Sequence, residues 1–598
     1  MNSQRLAAIA MISQFLWIPV AIYLSLFRGH GILLAIGIPL VVQSPLSYAI
    51  AIRRWHAVNN LISQSKDETH LPPQYPSLVP YVGSALSFVW DNAGFLRQAT
   101  RYGGRLISSR ISFLGFEIFA FQDRQTVAKV WKQTSLSSPI SIFVYAMKYF
   151  FEIPENVLSV YRADTSGPFP KPHKDTNIPP QARVDHITHY GFLQALSGPR
   201  WLPTTKRCMN ALVSRLEEKG FSEEWTEFED MSEFFKEWVG ASLIESLFGP
   251  SMLRINPTFV KNIWVFDEGI PWLARGVPSF LRPSIYKARR AAIAQIRNWY
   301  LYAREHFDES YISSDGDGDP FWGSWLMRYR QKNLLPAEKH NDEVLSKLDL
   351  GLAWGVVGNT TPTSTLFAFH IFKDPTLLSR VRDEIETSFG NQDLLDMNPS
   401  ELIKQPLLSS AYAEILRLFI DVFFMVTSAH KDVPLGSYHL PKGRIALINS
   451  GISHKDDSFW NTRNGEHPVT SFWADRFLID PSDPLSGPIS PGVYKPPSRE
   501  DPDGDNGSKA PYFSLKGTEG SWFPYGGKVV ILYVREEFWL KVPYSSSLSS
   551  WQEIMILSPS WRELKRRIGG VALVQSKSSM LFHFVLEKEE DKKITAAF

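Results

Sequence analysis

Helical periodicity across the middle of the chain is the feature that most constrains its fold. From about residue 120 to about residue 420, apolar side chains recur at the three- and four-residue spacing of an amphipathic α-helix. The clearest helical segments are 208–218, 231–247, 286–307 and 375–389. Shorter runs with β-like composition flank this block at 106–121, 437–448 and 570–585. The pattern predicts a mainly α fold with small β-sheets.

Two apolar runs, 6–27 and 31–52, open the chain. The first contains no charged residue and is long enough to span a bilayer. A secretory signal is disfavoured because the run is too long and no small-residue cleavage pattern follows it. Arg53 and Arg54 favour a cytosolic body by the positive-inside rule. We predict a membrane anchor at 1–54 with one or two spans, the alternative being one anchor plus a core or interfacial helix.

The rest of the chain divides into a short hinge and one large domain. Prolines at 72, 73, 76 and 80 stiffen an extended segment, which we assign to a hinge at 55–85. Residues 86–598 form the predicted domain. Lys+Arg is 63 and Asp+Glu is 61, so no charge excess favours a nucleic-acid partner.

The single cysteine, Cys208, excludes an intrachain disulfide framework and structural cysteine–zinc sites. Cys208 lies on an apolar helical stretch and is expected to pack as a small hydrophobe. Two Asp- and Gly-rich stretches, 313–320 and 499–507, look like calcium loops. Counted from their aspartates, neither has the glycine at position six nor the glutamate at position twelve that such loops need. Both are predicted to be solvated loops.

Three motifs follow one another in the last third of the chain. Glu414 and Arg417 are three residues apart, so they share a helix face. Taken alone, that spacing describes an ordinary surface ion pair. Trp-Ala-Asp-Arg-Phe follows at 473–477, and Trp-Phe-Pro-Tyr-Gly-Gly at 522–527. In this order and spacing the motifs resemble the haem-thiolate monooxygenases of the cytochrome P450 superfamily.

The resemblance implies a haem b cofactor and assigns residues to it. In that family the glutamate and both arginines, which are Glu414, Arg417 and Arg476 in this chain, form a buried charged network that maintains the haem side of the core. A buried charge needs partners because it is otherwise very costly. Phe523, Gly526 and Gly527 would begin the loop under the haem, where glycine lets the backbone approach closely.

A long apolar helix is predicted at 351–372 and contains Gly-Asn-Thr-Thr-Pro at 358–362. Pro362 cannot donate a backbone hydrogen bond and crowds the carbonyl of Gly358, so a kink with a polar notch is expected. The alternatives are an ordinary proline-kinked buried helix or a third membrane span. In the family an acid followed by threonine delivers protons at this notch. This chain has Asn359 and Thr360, and an asparagine cannot supply a proton at neutral pH.

The Gly-Asn-Thr-x-Pro form resembles the branch of sterol 7α-hydroxylases and prostacyclin synthase, together with its fungal relatives. That branch contains both monooxygenases and a haem isomerase. Thr360 is therefore the predicted proton relay, with Asn359 beside it, and the reaction type is left open between these two chemistries.

The axial cysteine of the family is missing. It should follow Gly527 within a few residues, but the sequence continues Lys-Val-Val-Ile-Leu from residue 528, and no iron ligand is identifiable. The resemblance returns at 569–578. If 533–540 is translated two bases later, permitted codons give Cys-Pro-Gly-Arg-Ile-Leu-Ala, which is the expected ligand motif. We therefore interpret 528–567 as an atypical segment produced by a reading-frame error.

The resemblance implies oxidation of a lipophilic small molecule, with electrons from an NADPH-dependent reductase at the endoplasmic reticulum membrane and a cytosolic catalytic domain. Specialised metabolism of a terpenoid or sterol-like compound is the expected setting. Two alternatives remain. One is a degenerate, non-catalytic member that lacks the thiolate ligand, and the other is a haem isomerase or dehydratase that needs no reductase.

Overall fold

The computed structural model describes residues 47–60, 70–77, 83–113, 116–219, 226–493, 510–526, 571–576 and 581–586, apart from 134, 138, 175, 198, 229, 391, 393 and 394. The first apolar run, most of the second, Gly527 and the segment 528–567 lie outside these residues. The anchor predicted at 1–54 therefore stays a prediction. Within the described ranges, no helix is both long enough and apolar enough to cross a bilayer.

The contacts of the chain define two compact units. The first, called the strand-rich unit, comprises Met1–Pro139, Phe423–Ser458 and Glu519–Phe523. The second, called the helical unit, comprises Ile140–Val422, Phe459–Thr518 and Pro524–Phe598. The division into anchor, hinge and one domain stays a prediction from the sequence.

A four-stranded sheet organises the strand-rich unit. Its strands run in the order Ser109–Phe113, Phe116–Ala120, Ile445–Asn449, Phe423–Thr427, and only the middle pair is parallel. Two-stranded sheets pair Arg101–Tyr102 with Arg105–Leu106, and Val433–Leu435 with Tyr438–Leu440. The helices of the unit are 47–60, Ala85–Trp90, Asn92–Ala99, Arg124–Val130 and Ser450–His454.

Helices make up most of the helical unit. They are Ile140–Tyr149, Glu155–Ala163, Val184–Phe192, Trp201–Lys219, Met231–Phe248, Pro250–Ile255, Phe259–Ala274, Pro283–His306, Trp325–Asn333, Asp342–Lys373, Pro375–Phe389, Pro399–Leu402 and Pro406–Phe419. Short helical turns lie at Pro180–Ala182, Leu193–Ser197 and Glu309–Tyr311. Small sheets pair Leu478–Ile479 with Tyr512–Phe513, and order Leu581–Leu586, Val571–Ser576 and Thr226–Phe228. The predicted mainly α fold with small sheets is confirmed.

The helix Asp342–Lys373, called the central helix, runs through the core of the helical unit. The side chain of Asn341 caps its first turn by accepting a hydrogen bond from the Val344 amide at 2.9 Å. The apolar residues of the helix are not confined to one face, as is usual in buried helices. It packs against Met231–Phe248, Phe259–Ala274 and Pro283–His306. It begins nine residues before the predicted start at 351 because its first two turns carry charged side chains that hide the apolar pattern.

The loop at 313–320 corrects a prediction. Its second half is not solvated, since Asp317 and Asp319 are only 1% and 6% exposed. Nη2 of Arg207 donates to Asp317 at 2.5 Å, and Arg328 pairs with Asp319. Asp317 and Asp319 can be buried because arginines from two other helices neutralise them, which sequence spacing alone does not reveal. The second Asp-rich stretch, 499–507, lies outside the described residues.

Candidate functional site

Glu414, Arg417 and Arg476 form one buried charged network in the helical unit. All three side chains are fully buried. Arg417 donates from Nε and Nη2 to the two carboxylate oxygens of Glu414, at 2.6 and 2.8 Å. Nε of Arg476 donates to Oε1 of the same carboxylate at 2.9 Å, and the amide of Trp473 donates to that oxygen at 3.3 Å. Two positive charges thus share one negative charge, and the carboxylate receives four hydrogen bonds.

Backbone carbonyls complete the surroundings of Arg476. Nη1 donates to the carbonyl of Asn461, and Nη2 lies 3.3 Å from the carbonyl of Pro468. The guanidinium centre lies 5.1 Å from the ring of Trp473, an arrangement that favours cation–π attraction. Burial lowers the pKa of Arg476 while Glu414 opposes that shift. These contacts fix the relative positions of Glu414, Arg417 and Arg476 in the core. That the three residues maintain the haem side of the core stays a prediction.

The Gly-Asn-Thr-Thr-Pro stretch lies in the middle of the central helix, and the helix continues across Pro362. Side chains satisfy carbonyls one turn back along this stretch. Nδ2 of Asn359 donates to the carbonyl of Gly355, and the hydroxyl of Thr363 donates to the carbonyl of Asn359, each at 2.9 Å. Such back-bonding competes with regular helix geometry and often bends a helix.

The two threonines of the stretch have different surroundings. Thr361 is fully buried, and its hydroxyl has no hydrogen-bond partner among the described residues. Thr360 keeps part of its surface accessible, as does Asn359. The proton relay predicted at Thr360 would therefore act from the accessible side of the helix, and this role stays a prediction.

The Trp-Phe-Pro-Tyr-Gly segment is described as far as Gly526. In the strand-rich unit, the amide of Phe523 donates to Nε2 of the fully buried His454 at 3.2 Å. The ring of Phe523 packs against Trp131 and Phe424, with centroids 5.9 Å apart in both cases. Gly526 has φ of +84°, a conformation that glycine adopts without strain.

The single cysteine of the sequence lies in an environment that disfavours a thiolate. Cys208 lies on Trp201–Lys219, and burial raises the pKa of its thiol to about 11. Without a bound metal the thiol is therefore protonated at neutral pH, and its surroundings disfavour the thiolate that a metal ligand must be. The described residues thus supply no axial thiolate, and the remainder of the sequence contains no second cysteine. The donor set of the chain as written does not fit a thiolate-ligated haem.

Two polar groups near these motifs are not predicted from the sequence. His454 accepts a hydrogen bond from the Phe523 amide, a contact between residues 69 positions apart that the local sequence does not indicate. Asp267, on Phe259–Ala274, accepts a hydrogen bond from Nε1 of Trp354 at 2.7 Å. An aspartate in an amphipathic helix looks like a surface residue, so only the packing of the helices reveals its position.

The comparisons with known proteins agree with these motifs. A family model described as Cytochrome P450 matches residues 191–476. The chain is 29% identical to the cytochrome P450 monooxygenase fsoE of Humicola fuscoatra, over 82% of this chain and 84% of that protein. It is 27% identical to the cytochrome P450 monooxygenase efuG of Hormonema carpetanum, over 84% of this chain and 88% of that protein.

Among solved structures, the retinoic acid-bound cyanobacterial CYP120A1 matches with a TM-score of 0.45 and 15% identity, covering 77% of this chain and 87% of that chain. The family model and the two fungal relatives, together with the ordered motifs, support the resemblance of this chain to the cytochrome P450 superfamily.

Proposed function

We propose that this protein is a haem-dependent monooxygenase that hydroxylates or otherwise oxidises a lipophilic small molecule in terpenoid or sterol-like specialised metabolism. The observation that carries the proposal is the complete burial and pairing of Glu414, Arg417 and Arg476. A buried ion network of this kind is costly unless every partner is present. The two fungal relatives, which are named as monooxygenases, support the same reaction class.

The chain's own residues have distinct parts in this proposal. The Glu414–Arg417–Arg476 network holds the core rigid, and Phe523, Gly526 and Gly527 begin the loop that would approach the haem. Thr360 would hold and pass on a proton at its hydroxyl, since the amide of Asn359 is already engaged with Gly355. Haem, when bound, would supply the oxygen-activating chemistry. An NADPH-dependent reductase would supply electrons, with the anchor at 1–54 holding both proteins at the endoplasmic reticulum membrane.

The absent thiolate favours a second candidate for the chain as written, namely a non-catalytic member of the superfamily. We reconcile the two by proposing that the frame is shifted between about 528 and 569, where the resemblance to the family stops and then returns. A haem isomerase or dehydratase is the third candidate, and Asn359 in place of an acid favours it.

The experiment compares two full-length chains, one as written and one with the shifted frame restored. Each is reduced and exposed to carbon monoxide. We expect the red-shifted absorption band of thiolate-ligated haem only in the restored chain, because neutral ligands do not donate charge to iron as a thiolate does. Turnover that requires NADPH and reductase indicates the monooxygenase, and turnover without them indicates the isomerase.

Two results would count against the proposal. A gene that encodes no Cys-Pro-Gly motif in any frame across this region would leave the non-catalytic candidate. A thiolate band from the unrestored chain that disappears in Cys208→Ser would show that Cys208 is the ligand.

A further inference from the structure

Trp90 and Phe116 are two large aromatic side chains that the strand-rich unit leaves uncovered. They are 95% and 74% exposed, respectively. A single exposed apolar residue is ordinary, but tryptophan is highly buried on average, and a contiguous exposed apolar surface marks an interaction site. The position of the two side chains relative to each other therefore decides what they indicate.

Both side chains lie around one end of the hairpin at 109–120. Phe113 and Phe116 are paired across its two strands, and directly paired residues point to the same face of a sheet. The ring centroid of Phe88 lies 4.9 Å from that of Phe113. Phe88 belongs to the short helix that Trp90 ends. Trp90 and Phe116 therefore flank the same packed rings, and we call them the aromatic pair.

Ring contacts lead from the aromatic pair to the helix at 47–60. The ring centroids of Phe88 and Phe95 lie 6.3 Å apart. Those of Phe95 and Tyr75 lie 5.5 Å apart, and those of Tyr75 and Trp55 lie 5.8 Å apart. Trp55 belongs to the helix at 47–60, which begins inside the second apolar run of the sequence. A bilayer entered by that run would therefore be within reach of the aromatic pair.

The same part of the chain has a positive surface. Its described acidic residues between 47 and 117 are Asp91 and Glu117, and Glu117 is paired with Arg110 at 3.3 Å. The exposed arginines of this part are Arg53, Arg54, Arg97 and Arg105. Aromatic side chains beside arginines suit the headgroup zone of an anionic leaflet. They suit a second copy of this chain less well, because a two-fold contact would bring like charges together.

We propose that Trp90 and Phe116 insert into the headgroup region of the membrane that the N-terminal anchor enters, while the exposed arginines around them contact anionic lipid. This inference rests on the membrane anchor of the proposed function and gives the body of the chain a second contact with the same bilayer. The amphipathic tryptophan ring can lie at the interface with its indole nitrogen toward water. The contact would fix the orientation of the strand-rich unit on the membrane, which a single anchor does not do.

The experiment reports the surroundings of single positions in the full-length chain. Cys208→Ser removes the one cysteine, and Trp90→Cys, Phe116→Cys or Gln125→Cys is then labelled with the fluorophore NBD. Gln125 is the matched control, because it is exposed and lies beyond the end of the strand that Phe116 begins. The two ends of that strand are about 13 Å apart. The vesicles are phosphatidylcholine, with or without phosphatidylserine, and contain a spin-labelled lipid that quenches nearby NBD.

In vesicles, the labels at 90 and 116 should emit at shorter wavelength, lose intensity to the spin-labelled lipid and be shielded from aqueous iodide. The label at 125 should stay accessible to iodide and keep its intensity. Quenching should be stronger from a spin label near the headgroup than from one at the chain end, because interfacial side chains reach only about 5–10 Å into this boundary.

Phosphatidylserine should increase the quenching at position 90, because it attracts the exposed arginines. Arg97→Glu combined with Arg105→Glu should remove that increase, since two of the attracting charges are reversed. Lys129→Glu is the matched charge reversal, because Lys129 is exposed and lies on Arg124–Val130, beyond the other end of the strand. It should leave the effect of phosphatidylserine unchanged.

Equal responses to lipid and iodide at 90, 116 and 125 would overturn the inference. It would also be overturned if the labels at 90 and 116 were shielded from iodide in detergent, to an extent that rises with protein concentration, because a second copy would then cover the aromatic pair. The carbon monoxide spectrum does not depend on these positions, so this inference and the proposed function fail separately.

Discussion

Arg417 donates two hydrogen bonds to Glu414, at 2.6 and 2.8 Å, and neither side chain has exposed surface. Glu401 and Lys404 have the same three-residue spacing and lie 2.9 Å apart, but about half of each side chain is exposed. The two pairs look alike in the sequence. They differ in burial, and burial decides how much each pair matters for stability.

Glu414→Ala or Arg417→Ala should prevent accumulation of folded protein. Glu414→Ala leaves two buried arginines without their carboxylate, and Arg417→Ala removes two of the four hydrogen bonds that Glu414 accepts. Breaking a buried charged network in this way costs about 3–5 kcal/mol. Glu401→Ala is the matched control and should cost less than about 1 kcal/mol. The measurement is the yield of folded protein and its melting temperature. Normal values in both core variants would mean that the pair contributes no more than a surface ion pair.

His454→Leu should destabilise the strand-rich unit by about 1–3 kcal/mol, because the amide of Phe523 would lose its acceptor in a buried site. His454→Gln can still offer an acceptor and should lose less. Hydrogen exchange at the Phe523 amide is the direct readout and should accelerate in the leucine variant. Unchanged exchange there would contradict the assigned hydrogen bond.

Stability should fall as the pH drops from about 6.5 toward 4, and His370 should account for part of the fall. Burial, together with the nearby charge of Lys373, lowers the pKa of His370 to about 4. In that range the unfolded chain binds more protons than the folded chain, so acid favours unfolding. The difference from the usual value of 6.5 corresponds to at most about 3 kcal/mol.

His370→Phe should reduce this acid sensitivity while keeping the stacking on Phe472, whose ring centroid lies 4.4 Å from that of His370. The comparison is the free energy of unfolding of both proteins from pH 4 to pH 8. The pKa of His189 is also lowered to about 4, so His189 should cause part of the loss of stability that remains in the variant. Parallel curves for the two proteins would show that His370 does not titrate in this range.

Cys208 should react slowly with thiol reagents in the folded protein at pH 7, because burial raises its pKa to about 11 and thiolates are the reactive form. Labelling should accelerate as the pH rises or when the chain is unfolded. The measurement compares the labelling rate of the folded chain with that of the urea-unfolded chain. The unfolded chain provides the reference rate for an accessible thiol. Equal rates at pH 7 would show that the thiol is neither buried nor protonated.

Local patterns in the sequence predicted the regular elements well. The segments predicted at 231–247 and 375–389 correspond to the helices Met231–Phe248 and Pro375–Phe389, and the run at 106–121 becomes the hairpin of Ser109–Phe113 and Phe116–Ala120. These elements are set by periodicity and by nearby capping residues. Asp374, for example, caps the second helix by accepting from the amide of Thr376 at 3.0 Å.

Contacts between distant residues were the part that local patterns could not predict. Asp317 pairs with Arg207, which lies 110 residues earlier, and Asp267 meets Trp354, which lies 87 residues later. In the sequence, neither aspartate can be distinguished from a charged residue on the surface by its spacing or by its neighbours. The contact between Glu414 and Arg476 is predictable only from the resemblance to a family in which these residues form a buried network.

Arg476 follows Glu414 by 62 residues, so the ribosome adds the second arginine of the charged network well after the glutamate. Before residue 476 is translated, Glu414 has only one of its two arginines. The helix Pro406–Phe419 therefore cannot make all of its final contacts until Arg476 has been added. Lys528 comes later still. Translation in either frame beyond Lys528 would therefore supply every residue of the charged network, so the loss of the iron ligand leaves the network itself intact.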